Sequence, residues 1–420
     1  MYQYWRFYWP LALTGVGLVL AVQFQNATLA RYPEAVAELA VLALAYGVFG
    51  FFNASLQFVS QLANVYARSR PALAKSWRFV VMASCVIGAP LVVIASTTWG
   101  AASIELVFGV SAELAQRVQA YLILMCPLVL LNGQRHYYTG LLIQGHRTGW
   151  VTTLNFAYLS VMLISLIAGF TAGMQPVHVI VGSELLAVSI LLALLLGARM
   201  RVYRLPETAE HADVTYMELL KFFVPVSTTG VMFAFSRPVL FAFVARTPDG
   251  VATIAALRIA FDFSMLFQQA ANQFRHFFIS FGFDEIEAKR RFMTLIAGAL
   301  TLIMLAIALT PLADWIWGTL MGIPSELQSM SEQVLLVMCL MPVVIIYRNY
   351  FHSQLMHLRR TAGMAYGSML RVAGIFVMAA ILSWADLLDH RTAALTLICG
   401  FIIEAFISRF TLRSERKQLR

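Results

Sequence analysis

Long apolar segments separated by short polar loops constrain the fold of this chain more than any other feature. A helix needs about 20 mostly apolar residues to cross the hydrocarbon core of a bilayer. Segments of that kind lie near residues 6–29, 36–66, 79–100, 115–142, 150–172, 177–199, 217–244, 251–280, 292–318, 329–356, 362–384 and 392–410. The sequence therefore predicts an all-α integral membrane protein with about twelve transmembrane helices.

The composition excludes a water-soluble protein, because 60% of the 420 residues are hydrophobic and only 12% are charged. The net charge of +9 does not indicate a nucleic-acid partner, since most basic residues lie in short loops between apolar segments. Each of the four cysteines lies inside an apolar segment, away from any pair of metal ligands, and no phosphate-binding glycine motif is present. We expect no metal and no cofactor.

The positive charges of the loops predict the topology. The loops that follow the even-numbered segments are rich in Arg and Lys, and the opposite loops carry few basic residues. The richer set is Arg68, Arg70, Lys75, Arg78, Arg147, Arg199, Arg201, Arg204, Lys289, Arg290, Arg291, Arg359 and Arg360; the poorer set is Arg31, Arg117, Arg246 and Arg391. We expect both termini in the cytoplasm and a multi-pass location in the plasma membrane, which is the inner membrane if the source is bacterial.

An internal repeat relates the two halves of the chain. A shift of 215 positions places Pro10 on Pro225 and Arg31 on Arg246. The same shift superposes Thr14-Gly15-Val16 on Thr229-Gly230-Val231, Val36-Ala37 on Val251-Ala252, and Pro127 on Pro342. Six segments in each half predict a parallel repeat of two six-helix bundles, residues 1–205 and 206–420, with a substrate site between them near the membrane midplane. Chance similarity among apolar helices is the alternative.

Charged residues inside the predicted spans are candidates for a functional site, because each costs roughly 2.5 to 3.5 kcal/mol at the centre of a spanning helix. Arginines outnumber acids there. The arginines are Arg135, Arg237, Arg258, Arg275 and Arg348; the acids are mainly Asp262, Glu184 and Glu404. The eighth segment carries Arg258, Asp262, Gln269, Asn272 and His276 on one helical stripe, and the second carries Asn53, Gln57, Ser60 and Asn64. The two stripes predict the walls of one cavity.

These residues also have structural interpretations. Arg258 and Asp262 lie four residues apart and could neutralise one another on one helix, or Asp262 could couple transport to an ion. Arg275 and Arg348 could extend toward lipid phosphates at the cytoplasmic interface. Arg237 is the strongest single candidate, because it lies in the middle of its span and the following proline, Pro238, disturbs the helix.

An excess of arginine in the membrane favours an anionic substrate, since guanidinium offers bidentate donors to carboxylate and phosphate groups. An acidic cavity would instead favour cationic drugs or metals. The sequence thus predicts a small anionic substrate, and we expect the protein to act as a monomer in the lipid bilayer.

Several segments resemble a known family. The segment FSRPVLFAFVAR, with Ser236-Arg237-Pro238, is similar to the seventh-helix motif of the progressive ankylosis (ANK) family, and the opening YWPL is similar too. Arg275, Pro342, Arg348 and the Leu355-Met356 step before Arg359-Arg360 match that family's spacing. The family lies within the MATE-like (multidrug/oligosaccharidyl-lipid/polysaccharide) exporter superfamily. The chain departs from the family at Arg258 and Asp262 and lacks the long polar tail of animal members.

The resemblance implies a secondary transporter that exports citrate, ATP or pyrophosphate from the cytosol by alternating access, through a cleft between two bundles of a MATE-like fold. A lipid-linked oligosaccharide flippase and a multidrug exporter of the same superfamily are the alternatives. A membrane-embedded enzyme is a further alternative, but the sequence contains no paired carboxylates, HExxH motif or Ser/His constellation that would support catalysis. We expect that the protein is not an enzyme.

Overall fold

The protein is α-helical in a computed structural model, which describes residues 2–29, 31–33, 35–108, 111–205, 214–244, 246–248, 250–320 and 325–418. The helices are α1 (Tyr2–Leu29), α2 (Ala35–Ala54), α3 (Val59–Tyr66), α4 (Arg70–Ser96), α5 (Thr98–Phe108), α6 (Ala112–Gln144), α7 (Thr148–Thr171), α8 (Pro176–Val202), α9 (Tyr216–Val244), α10 (Gly250–Asn272), α11 (Phe274–Phe281), α12 (Ile286–Ala308), α13 (Leu312–Asp314), α14 (Ser325–Met338), α15 (Met341–His357), α16 (Ala362–Trp384) and α17 (His390–Gln418). A 3-10 turn (Ser55–Phe58) joins α2 to α3, and a π-helical turn (Trp315–Leu320) follows α13.

Among the described residues, ten helical segments are long and apolar enough to cross a membrane. The other two of the twelve predicted spans, 36–66 and 251–280, are each interrupted, because α2 and α3 are separated by the 3-10 turn and α10 and α11 by Gln273. The structure confirms the all-helical membrane fold.

Helix boundaries follow local capping as well as hydropathy. α4 begins at Arg70, nine residues before the predicted span at 79, because the Ser69 side chain accepts a hydrogen bond from the Ala72 N–H and Pro71 occupies the first turn. The basic first turns of this helix concealed its start in the sequence. By contrast, α16 spans Ala362–Trp384, as predicted.

The internal repeat recurs in the backbone of the first three spans of each half. Adding 215 to the bounds of α3 gives the bounds of α11. The turns after α1 and α9 also match, since Arg31 N donates to Thr28 O and Arg246 N donates to Phe243 O, both at 3.1 Å. The predicted equivalence of Arg31 and Arg246 therefore holds at the level of local structure.

In the last three spans of each half the offset is 213, not 215. Adding 213 to the bounds of α6 gives 325–357, the start of α14 and the end of α15. The turns agree, because Arg147 N donates to Leu142 O and Arg360 N to Leu355 O, both at 2.8 Å. The predicted equivalence of Pro127 with Pro342 is thus wrong by two positions, since the second half is two residues shorter between its third and fourth spans.

The described helices form two compact units. The N-terminal unit comprises Gly17–Val231, and the C-terminal unit comprises Met1–Val16 with Met232–Arg420. The unit boundaries inside α1 and α9 are themselves 215 residues apart. The first half of α1, up to Val16, thus belongs to the C-terminal unit, and the first half of α9, up to Val231, belongs to the N-terminal unit. A division at residues 205 and 206 would place these two half-helices the other way round. Residues 206–213 lie outside the described chain.

Each unit holds its half-helix by a close glycine contact and a side-chain hydrogen bond. In the C-terminal unit, a Cβ added at Gly15 would lie 3.0 Å from Gln269 Cβ, and Tyr8 donates to Ala270 O at 2.9 Å. In the N-terminal unit, the corresponding glycine, Gly230, lies against the carbonyl of Ala54, and Ser227 donates to Ser55 O at 3.1 Å. Ser55 and Ala270 are again 215 residues apart. In both units, therefore, the half-helix is hydrogen-bonded to a backbone carbonyl at the equivalent position of the repeat.

Candidate functional site

The first cluster of intramembrane charge joins α9 to α10 in the C-terminal unit. Arg237 Nη1 donates to Asp262 Oδ1 at 2.6 Å, and Arg237 Nη2 donates to Phe261 O at 3.3 Å. Arg258 Nε lies 3.8 Å from the other oxygen of Asp262. The side chains of Arg237, Asp262 and Arg258 are 27%, 44% and 64% exposed, so this cluster lies at the surface of the unit.

The geometry refines the interpretation of these three residues. The i,i+4 pair of Arg258 and Asp262 exists, but Asp262 makes its shorter contact with Arg237 on a different helix. Two guanidinium groups compensate the Asp262 carboxylate. Pro238 does not end α9, which is continuous from Tyr216 to Val244, although its missing N–H leaves one backbone acceptor without its helical donor.

The second cluster is fully buried and joins α15, α16 and α17. Glu404 is 0% exposed and accepts hydrogen bonds at Oε2 from Arg348 Nη1, at 3.3 Å, and from Arg371 Nη1. Arg348 and Arg371 are 1% and 0% exposed, and both lie over the ring of Phe401, at 5.1 and 4.6 Å from its centroid. One carboxylate thus holds two guanidinium groups in an apolar and aromatic environment.

Two asparagines connect this pair to a third arginine. Arg275 Nε donates to Asn349 Oδ1 at 2.8 Å, and Arg348 Nη2 donates to the same oxygen at 3.3 Å. Arg348 Nη2 also donates to Asn272 Oδ1 at 3.2 Å. Asn349 Nδ2 donates to Ala271 O and to Asn272 Oδ1, both at 3.2 Å. The amide groups therefore place Arg275 and Arg348 side by side at the junction of α10 and α11.

This geometry excludes the lipid-facing interpretation of Arg275 and Arg348. Arg348 is 1% exposed and Arg275 is 8% exposed, so neither guanidinium reaches an interface in this structure. His276 is also buried, and His352 Nε2 lies 3.1 Å from Ser408 Oγ and 3.6 Å from Glu404 Oε1. The polar groups of this region face the interior of the unit.

The buried cluster carries more positive than negative charge. Its charged members are Arg275, Arg348 and Arg371 against Glu404. Within the part of the chain that the structure describes, Arg371 Nε and Nη2, Arg348 Nε and Glu404 Oε1 have no hydrogen-bond partner. Because a buried, uncompensated charge is costly, an anionic group that reached these donors would be stabilised.

The N-terminal unit carries a different set of side chains at the positions that correspond to the buried arginines. At the offset of 213, Arg135 corresponds to Arg348, and Tyr158 of α7 corresponds to Arg371 of α16. Glu184 of α8 accepts hydrogen bonds from Tyr46 and, at 3.3 Å, from Gln25, and Arg135 lies within electrostatic range of it. Both of these hydrogen-bond donors to Glu184 are neutral, and a tyrosine stands at the position that corresponds to Arg371, so this region carries fewer arginines than the buried cluster of the C-terminal unit.

The predicted polar stripes belong to different units. In the N-terminal unit, Asn53 accepts a hydrogen bond from Asn132 at 3.1 Å, and Gln57 is exposed. In the C-terminal unit, Gln269 packs at Gly15, and Asn272 is a member of the arginine cluster. A cavity shared by the two stripes stays a prediction.

Arg371 was not among the residues predicted for the site, and no role was predicted for Glu404 or Asn349. The signal for Arg371 was present, because it lies at the centre of the predicted span 362–384, where an ionised side chain is costly. Glu404 likewise lies within the span 392–410. No sequence signal indicated that these two residues and Arg348 would meet, because that contact depends on how three helices pack.

The described residues include no group of three or more potential metal ligands. No known protein-family model matches the chain, and no curated protein sequence matches it. Several solved structures share its fold over almost the entire length of both chains.

The eukaryotic MATE transporter AtDTX14 matches with a TM-score of 0.74 at 10% identity, covering 100% of this chain and 98% of that one. The Vibrio cholerae MATE transporter VcmN matches with a TM-score of 0.71 at 13% identity, covering 99% and 97%. A Pyrococcus furiosus transporter of the MOP superfamily, described as having a binding pocket of reverse polarity that suggests a different function, matches at 0.70 and 12%, covering 98% and 95%. The chain therefore has the fold of MATE transporters.

Proposed function

We propose that this protein is a secondary transporter that exports small organic or phosphate polyanions from the cytosol by alternating access. Citrate, ATP and pyrophosphate are the proposed substrates, in line with the resemblance to the ANK family. Arg237, Arg275 and Arg348 provide the main substrate contacts in this proposal. Arg258, Arg135, Asn53, Gln57, Gln269, Asn272 and His276 provide the polar lining.

The observation that carries the proposal is the excess of buried guanidinium groups in a chain with a transporter fold. Two arginines share one carboxylate in the C-terminal unit, with Arg275 beside them, and Arg348 Nε, Arg371 Nε and Arg371 Nη2 have no hydrogen-bond partner among the described residues. Hydrogen bonds between guanidinium and carboxylate or phosphate are charge-assisted, and each contributes about 1.5 to 3 kcal/mol. A polyanion satisfies these donors, whereas a cationic drug would add to an existing positive charge.

The fold is consistent with the alternative of a multidrug exporter, because MATE transporters have the same fold. The Pyrococcus furiosus protein of the same superfamily, with its pocket of reverse polarity, is consistent with a departure from cationic substrates within this fold. The arginine excess of the present chain favours the anion. Lipid-linked oligosaccharides also present a pyrophosphate group, so a flippase function is tested separately below.

The membrane potential is sufficient to drive the proposed export. Moving one charge through 100 mV is worth about 2.3 kcal/mol, so a trivalent anion that leaves a negative-inside cell gains roughly 7 kcal/mol per 100 mV. Efflux then requires no pump, in keeping with a chain that lacks nucleotide-binding motifs. Cytoplasmic termini, as the loop charges predict, would place the arginine-rich loops on the side from which the substrate enters.

The experiment is uptake into inside-out vesicles that contain the protein, with labelled citrate, ATP and pyrophosphate, a fluorescent cationic drug, and an undecaprenyl-linked sugar in parallel. Vesicles without the protein provide the baseline. Uptake of at least one soluble anion, increased by an inside-positive potential, supports the proposal. Transport of the drug alone or of the lipid-linked sugar alone would replace it with the corresponding alternative.

A further inference from the structure

We propose that Glu404 is an internal counter-anion, which neutralises the buried arginines while the site is empty and which a substrate anion displaces. This inference rests on the proposed function. It assigns to Glu404 a role in the return of the empty transporter and in its apparent affinity, beyond a role in packing α15, α16 and α17 together.

The contacts of Glu404 identify it as the counter-ion of the cluster. Its Oε2 atom is shared by Arg348 on α15 and Arg371 on α16, and no other carboxylate among the described residues makes an ion pair with either arginine. Burial of guanidinium groups without an anion is strongly unfavourable. Glu404 therefore occupies the position that a carboxylate or phosphate oxygen of a substrate would take.

Glu404 compensates the arginines only in part, which makes it replaceable. One carboxylate pairs with two guanidinium groups, with that of Arg275 beside them, and Arg371 Nε, Arg371 Nη2 and Arg348 Nε have no hydrogen-bond partner within the described chain. The Glu404 Oε1 atom also has no hydrogen-bond partner there. A polyanion with several oxygens and two or more charges satisfies more of these donors than Glu404 does, so the exchange of one for the other is favourable.

A polar path leads from the buried pair toward the surface of the unit. Arg348 Nη1 contacts Glu404, while Arg348 Nη2 contacts Asn272, which is partly exposed. The Asn349 amide holds Arg275 beside this path. Arg348 thus has one donor on the internal carboxylate and another at the point where an anion approaches.

The kinetic consequence separates this role from a structural one. With Glu404 in place, the empty site is partly neutralised, and the transporter changes conformation without a substrate, which permits net efflux. With a neutral residue at position 404, the empty site holds uncompensated arginines. The substrate then binds without a competitor, but the return of the empty transporter is slow, whereas exchange of one anion for another still proceeds.

The N-terminal unit supplies a comparison variant, at an acid that is not repeat-related to Glu404. Glu184 is an intramembrane acid of the N-terminal unit, and the hydrogen bonds that its Oε2 atom accepts come from two neutral side chains, Tyr46 and Gln25. Glu184→Gln removes an intramembrane carboxylate of the same kind without removing the counter-ion of a guanidinium pair. We expect this substitution to change efflux and exchange by the same factor.

The experiment compares net efflux with exchange of labelled pyrophosphate in proteoliposomes that contain equal amounts of folded full-length protein. For Glu404→Gln we expect net efflux to fall about tenfold or more, exchange to stay within about threefold of wild type, and the half-saturating concentration to fall. Equal losses in efflux and exchange, or no change in either, would overturn the inference. Absence of pyrophosphate, citrate and ATP transport by the wild type would instead overturn the proposed function and the inference with it.

A second comparison remains informative if Glu404→Gln does not fold. The Arg371→Gln variant is compared with the charge-balanced double variant Arg371→Gln/Glu404→Gln, using pyrophosphate binding by the purified protein. Removal of the competing carboxylate in this background is expected to raise the affinity about threefold or more. An affinity equal to or weaker than that of Arg371→Gln alone would show that Glu404 does not compete with the anion.

Discussion

Gly230→Ala is expected to destabilise the protein because α9 approaches the end of α2 at backbone distance. A Cβ at position 230 would lie 2.5 Å from the Ala54 carbonyl oxygen and 3.1 Å from the ring of Phe58. A carbonyl oxygen cannot move without moving the end of its helix and the 3-10 turn that follows. Overpacking of this kind costs about 1 to 3 kcal/mol. Most of this range exceeds the gain of up to about 1 kcal/mol that alanine provides over glycine in a helix.

Two other glycines make the comparison quantitative. At the repeat-related Gly15, the nearest atom to an added Cβ is the Cβ of Gln269 at 3.0 Å, which is less severe than contact with a carbonyl oxygen. At Gly182 in α8 nothing lies within 4 Å of an added Cβ. We expect Gly182→Ala to be neutral or stabilising by up to about 1 kcal/mol, Gly15→Ala to lie between, and Gly230→Ala to be the least stable.

The assay is thermal unfolding of the purified variants in one detergent, with the melting temperature as the readout. A difference of 1 kcal/mol corresponds to a shift of roughly 1 °C for a chain of this size, so replicate scans are needed. If the melting temperature of Gly230→Ala equals that of Gly182→Ala, α9 does not approach the end of α2 as closely as described.

Two further predictions concern charged residues. Burial acts to raise the pKa of Asp389, but the hydrogen bonds that it accepts from Thr392 and Arg391 outweigh this effect and hold the pKa below its ordinary value. Asp389→Ala should therefore cost about 1 kcal/mol at neutral pH, and its melting temperature should converge with that of wild type as the pH falls below about 4, because the protonated acid loses this advantage. Arg237→Gln should lower the free energy of unfolding by about 1 kcal/mol, because it removes the 2.6 Å contact with Asp262. Arg258→Gln should leave the melting temperature unchanged, because the Arg258 side chain is exposed and its contact with Asp262 is 3.8 Å long. Equal effects of the two substitutions would contradict this ranking.

The sequence was sufficient for the membrane fold because hydropathy over about 20 residues is a strong local signal. It also revealed the repeat, since prolines, glycines and arginines recur at one spacing in the first spans of each half. It placed Pro127 two residues from its true counterpart, because a short deletion in a loop is not visible in weakly similar apolar helices. The correct offset, read from backbone turns, makes Arg135 the counterpart of Arg348.

The composition of the candidate site was only partly predictable. Arg275 and Arg348 were expected in the site, and the structure places them together through Asn349. Their burial, and their connection to Arg371 and Glu404, depend on the packing of α15, α16 and α17, which no local pattern encodes. The preference of Asp262 for Arg237 over its own helical neighbour also depends on interhelical packing.

The most direct test of the anion-transport account is the apparent affinity for labelled pyrophosphate in inside-out vesicles that contain Arg237→Gln, Arg275→Gln or Arg348→Gln at matched protein levels. Loss of a charge-assisted contact, worth about 1.5 to 3 kcal/mol, is expected to weaken the apparent affinity by roughly one to two orders of magnitude. Lysine at the same positions should restore it only in part, because a point charge cannot form a bidentate contact. Transport at wild-type affinity in all three glutamine variants would contradict the account.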